Sequence, residues 1–112
     1  MFEALGANYE QYMSLLSERQ KLVASNIANV DTPGYHTKDL DFQAELQNAI
    51  AGQSPAIVEP ENLATKPDGN NVNLDREARL LAENALRFQI ATNFVRSDFA
   101  EVRMAIQDGK SG

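Results

Sequence analysis

The sequence predicts an all-α protein, an elongated antiparallel two-helix coiled-coil hairpin with a turn and a partly disordered middle loop. Three observations predict it. A long C-terminal stretch keeps an unbroken four-three spacing of apolar or small side chains, a shorter N-terminal stretch repeats it, and the residues between are rich in proline, glycine and asparagine. The chain divides into residues 1–35 (N-terminal helix and turn), 36–72 (short helix and mobile connector) and 73–112 (long C-terminal helix).

In the first helix the seam runs through Leu5, Tyr9, Tyr12, Leu16 and Val23 to Ile27 or Val30. Arg19 and Asn26 interrupt it. Polar groups at seam positions fix register or meet a partner's polar group. Arg19 is read as lying at the seam's edge and Asn26 as making a specific hydrogen bond, because Asn26 opens the run Asn26-Ile27-Ala28-Asn29-Val30-Asp31-Thr32-Pro33-Gly34-Tyr35. That run is a helix exit. Asn29 and Asp31 compete for backbone groups, and Pro33 disfavours helical geometry at Thr32. Thr32-Pro33-Gly34-Tyr35 fits a type II turn, with glycine where φ must be positive.

Next, Asp41 is placed to cap a short helix with Phe42, Leu46 and Ile50 on one face and Gly52 at its end. Three turns are marginal alone, so this helix needs something to pack against. Gln53 to Asn71 reads as a mobile connector, much of it disordered before assembly.

The last helix carries the longest seam: Leu74, Ala78, Leu81, Ala85, Phe88, Thr92, Val95, Phe99, Val102 and Ile106. No glycine or proline interrupts Leu74 to Ile106, and Arg76, Glu77, Arg79, Glu83 and Arg87 are helix formers expected to face solvent. Asn73 is the expected N-cap, and Asp108 to Gly112 the expected stop. Such a helix is about 50 Å long, against about 34 Å for the diameter of a compact globule of this chain length. The molecule should be a rod. A second stripe, Leu86, Ile90 and Phe94, with Leu80 near the same side, is too far round the helix for one antiparallel partner to cover both. Neighbouring subunits, or the connector or the short Phe42 helix folded over it, would cover it.

Composition narrows the function. The 112 residues include no cysteine, so neither disulfides nor thiolate metal sites are available. A net charge of −6 and a pI near 4.6 argue against nucleic acid and anionic membranes as partners. No apolar run is long enough to span a membrane, and Met1-Phe2-Glu3 lack the start of a cleaved secretion signal, so any export is expected by another route. The one histidine, His36, forms a His-x-x-Asp-x-Asp string with Asp39 and Asp41 that matches neither a calcium loop nor a zinc set; it is read as a solvated turn leading into a helix cap. Ser14, Ser17 and Ser25 have no histidine close in sequence, Glu77 and Glu83 lie beside arginines, and no phosphate-cradling glycine loop exists. Neither catalysis, a cofactor nor a small-molecule substrate is expected.

Ser25 to Tyr35 resembles the N-terminal signature of the flagellar axial proteins, the rod and hook family, and Lys38 to Phe42 continues the likeness. Asn71 to Glu77 and Ala82 to Gln89 resemble the second helix of a member of that family. Val30 and His36 depart mildly from the usual pattern, the middle is short, and there is no room for the outer domain of larger members. The resemblance implies a structural subunit of the proximal rod of the bacterial flagellar basal body. It would be exported unfolded by the flagellar type III apparatus without signal cleavage, and would stack helically with itself and other rod proteins near the membrane ring and its adaptor. On this reading Leu81, Phe88, Val95 and Phe99 hold the hairpin, Pro33 and Gly34 set its exit, and Asn26, Asn29 and Tyr35 fix that corner or touch a neighbour. The alternative is a soluble helical-hairpin adaptor or chaperone-like module that never polymerises.

Overall fold

The computed structural model describes residues 2–50, 52 and 55–111. Three helices follow in order: α1 (Phe2–Ala28), α2 (Phe42–Ile50) and α3 (Leu74–Ser111). The shape is a rod of 72 × 26 × 18 Å with a radius of gyration of 18.8 Å, where a globule of this length would have about 13 Å. Its accessible surface is 7841 Å², against about 6100 Å² for a typical folded monomer of the same mass.

α3 is one continuous helix, as its spacing predicts. Asn73 caps it, its Oδ1 accepting from the Arg76 N–H at 3.2 Å. The helix continues to Ser111, past the expected stop at Asp108 and Gly109. A helical glycine costs about 1 kcal/mol relative to alanine and does not by itself end a helix. α1 and α3 pack antiparallel. Asn26 lies level with Glu77, Leu16 and Gln20 with Asn84, and Tyr9 and Tyr12 beside Ala91 and Phe94.

The side of α3 that meets α1 differs from the expected one. Leu74, Leu81, Phe88, Phe99 and Ile106 are exposed, Leu81 at 39% and Phe88 at 46%, while Val95 and Val102 are half-buried. The buried line is Glu77, Asn84 and Ala91, three residues on from Leu74, Leu81 and Phe88. Three residues turn a helix through 300°, so the buried line is displaced about 60° from the predicted one. Leu81 and Phe88 therefore border the helix pair without holding it. α1 contributes Leu16 and Val23, both buried, with Tyr9 and Tyr12 half-buried and Ile27 exposed; the side chain of Leu5 lies outside the described residues.

Most of the apolar core lies between α1 and α2. Leu15, Leu16, Leu40 and Phe42 form it, with Tyr12, Met13, Leu22 and Leu46 packed around them. The Phe42 ring meets Tyr12 edge to face at 5.5 Å, and the guanidinium groups of Arg19 and Arg87 lie 5.9 and 5.0 Å from its centre. Tyr12, with Glu83 assisting and burial opposing, raises the Arg87 pKa above its ordinary value. α2 forms where expected: Asp41 accepts from the Ala44 N–H at 3.4 Å, and Gly52 follows with φ +84°. Among the described residues the only β pairing is a single antiparallel bridge, Asp39 to Val58.

Candidate assembly interface and its polar joint

The joint begins where α1 ends. Asn29 donates through Nδ2 to the Ser25 carbonyl at 2.8 Å and accepts from the Thr32 hydroxyl at 3.0 Å. The Tyr35 N–H reaches the Thr32 carbonyl at 3.2 Å across a Gly34 with φ +75°, which fits the expected type II turn. Pro33 and Asp31 are exposed, and Asp31 makes no hydrogen bond to a described residue.

Residues 66–72, expected to be part of a mobile connector, close this corner. Asn70 is fully buried and donates through Nδ2 to the carbonyls of Asn29 and Thr32 at 2.8 and 2.9 Å, while its Oδ1 accepts from the Val72 N–H. Gly34 donates to the Asp68 carbonyl, and Asn71 takes the Thr37 N–H at 2.6 Å. A Cβ on Gly69, whose φ is +87°, would lie 3.3 Å from the Gly34 Cα. Composition marked this stretch as loop but not where its asparagines would bind.

Asn26 is the expected hydrogen-bonding residue, and it does more than one bond's work. Its amide pairs with the Lys38 backbone as a neighbouring strand would, Nδ2 donating to the carbonyl at 2.8 Å and Oδ1 accepting the N–H at 3.1 Å. The same amide donates to Glu77 Oε2 and accepts from the Tyr35 hydroxyl. Glu77, expected to face solvent, is 0% exposed and also accepts from Arg76 at 2.7 Å. Arg76 reaches Asp39 at 2.6 Å, and Asp39 in turn receives Arg19 through both carboxylate oxygens at 3.3 Å. Arg19 is thus no edge residue. It pairs with a carboxylate that 37 residues of chain separate from Arg76, so one buried aspartate ties α1 to α3.

A short polar string near a histidine gave no hint of this arrangement. Asp39 points to the arginines, Asp41 caps α2, and His36 lies 3.5 Å from Glu59, so the three side chains serve different partners. Among the described residues no group of three or more histidine or carboxylate side chains is placed to hold a metal ion.

Farther along, Asn84 donates through Nδ2 to the Leu16 carbonyl and to Gln20, so the helix pair is polar at its centre. Outward, α3 presents apolar side chains on both flanks of that pair. Leu81 and Phe88 border an open groove beside Leu16, while Ile90 and Phe94 border another beside Tyr9, Tyr12 and Leu46. Leu86, Ile90 and Phe94, the second stripe, are all exposed. α2 reaches only the rim of the second groove.

A hairpin whose buried face is polar and whose largest α3 side chains point out invites comparison with known assemblies. The family described as flagella basal body rod protein matches residues 13–36, the end of α1 and its turn. The flagellar basal body rod protein FlgB of Salmonella typhimurium is 30% identical, with 89% of this chain and 91% of that protein aligned. The chain belongs to the FlgB family of flagellar basal body rod proteins. FlgB of Borrelia hermsii is also 30% identical, over 87% of this chain and 91% of its own length, and FlgB of Proteus mirabilis is 28% identical over 89% and 91%. The Salmonella alignment spans 125 positions, more than the 112 residues here, so that FlgB carries residues within the match that this chain lacks.

Proposed function

We propose that this chain is a structural subunit of the flagellar basal-body rod, in its proximal part, and that it assembles helically through α1 and α3. The observation that carries the reading is the outward placement of Leu74, Leu81, Phe88, Phe99 and Ile106, most of the large side chains of the four-three repeat, left uncovered in the single chain. Exposed apolar surface of this extent marks association. The surface beyond that of a typical monomer, about 1700 Å², is roughly twice the about 800 Å² that one partner buries in a standard protein interface. A repeat that runs along a rod and meets unlike surfaces on its neighbours builds an open helical array.

On this reading the partners are other rod proteins, further copies of the chain and the adaptor that joins rod to membrane ring. The chain reaches them through the flagellar type III apparatus with its N-terminus uncleaved. It has no catalytic role. The named relatives do not favour the non-polymerising adaptor.

The test is fractionation of flagellated cells. The chain should travel with detergent-resistant basal bodies, retain its N-terminal residues by mass spectrometry, and be required for motility. A chain found only as a small soluble oligomer, absent from basal bodies, would sink the proposal.

A further inference from the structure

Residues 55–60 contain Ile57 and Val58, exposed at 62% and 44%, on an extended segment bracketed by Pro55 and Pro60. The segment is fastened on one side only. Val58 exchanges both backbone hydrogen bonds with Asp39, at 2.7 and 2.8 Å. In an extended chain successive residues point their N–H and C=O groups to opposite sides. The backbone groups of Ile57 and Glu59 therefore face away from Asp39, and they make no hydrogen bond to a described residue.

On the far side of residues 37–40 the corresponding place is filled, because the Asn26 amide pairs with Lys38. The order across this bridge is the Asn26 amide, the Lys38–Asp39 segment, the Val58 segment, and then an open edge. Asp39 also anchors that edge rigidly, since its carboxylate is held by Arg19 and Arg76.

We propose that the Ile57–Glu59 edge accepts an extended peptide from a neighbouring protein as a β-strand added beside Val58, an interface separate from the helix stripes. The inference rests on the rod-subunit reading for the identity of the neighbour. Main-chain hydrogen bonds to Ile57 and Glu59 supply the attachment in such strand addition, and alternate side chains supply the selectivity. Ile57 and Glu59 share one face, so the incoming strand should carry an apolar residue opposite Ile57 and a basic one two positions away opposite Glu59. Charge agrees: Glu59 and Glu61 are both exposed, with the half-exposed His36 3.5 Å from the Glu59 carboxylate.

Ile57→Pro tests it, because proline removes the outward N–H and leaves the Asp39–Val58 pairing in place. The free variant should keep native helix content by circular dichroism, yet its recovery in basal bodies should fall at least tenfold. Ile57→Thr, which keeps the N–H, should be recovered within twofold of the native chain. Glu59→Pro provides the same test should Ile57→Pro unfold. A photo-reactive phenylalanine analogue at position 57 should link, in cells, to an apolar-and-basic extended segment of another rod protein. Normal recovery of both proline variants, a link to residues 55–60 of a second copy, a link to a helix, or no link at all would overturn the proposal. Absence of the native chain from basal bodies would instead defeat the rod reading itself.

Discussion

At the joint, single residues bind segments far apart in the sequence: Asn26 meets Lys38 and Glu77, and Asn70 meets Asn29 and Thr32. The two glycines make the clearest test. A Cβ on Gly34 meets nothing within 4 Å, so Gly34→Ala should lose only the backbone preference at φ +75°, about 1–2 kcal/mol. Gly69→Ala adds a contact with the Gly34 backbone to a similar φ penalty and should be the more destabilising of the two by urea denaturation; equal losses would mean the chains do not pass so closely. The sequence made Gly34 legible, since proline before and tyrosine after define the turn. Gly69 was legible only as loop, because its constraint comes from a residue 35 positions earlier. Asn26 was recognisable as a polar interruption in an apolar line, but its partners Lys38 and Glu77 were not, as neither lies within a helical turn of it.

Among the elements, α2 is the most dependent on its neighbours. Nine residues do not hold a helix in water, and Phe42 is its main attachment, buried against Tyr12 with Arg19 and Arg87 over its ring. Phe42→Ala should cost about 3 kcal/mol and expose the α2 amides to exchange while those of the joint stay protected. Uniform loss of protection would show that α2 and the joint unfold together. α3 presents the opposite case. Its existence, start and continuity were written in its spacing and in Asn73, whereas its rotation was not. A four-three repeat says that one line of the helix is apolar and is silent on whether that line faces inward or toward another molecule. Here it faces out, because Asn26, Leu16 and Gln20 on α1 offer polar groups that Glu77 and Asn84 satisfy. Phe88→Asp should therefore leave the free chain folded, with helix content and melting temperature close to native, and abolish recovery in basal bodies. An unfolded Phe88→Asp chain would place Phe88 inside after all.

At the scale of the whole molecule, length was the best-predicted property. A helix of 38 residues spans about 57 Å, and no arrangement of the other residues can hide that in a ball. Small-angle scattering from dilute chain should give a radius of gyration near the 18.8 Å of the fold. A value near the roughly 13 Å of a compact globule would show that the hairpin collapses in solution. At one end the joint ties the pieces together: the helix exit, residues 66–72 and the start of α3 share hydrogen bonds that no single segment could supply.

The polar contact between α1 and α3 has a thermal consequence. Unfolding raises heat capacity mainly by wetting hydrocarbon, and polar groups subtract from that rise. Because Glu77, Asn84 and Asn26 fill the contact while Leu86, Phe94 and Phe99 are wet already, the lone chain should melt with an increment below the roughly 12–15 cal/mol/K per residue of ordinary domains. Its stability should then change little on cooling, a flat curve that scanning calorimetry would reveal.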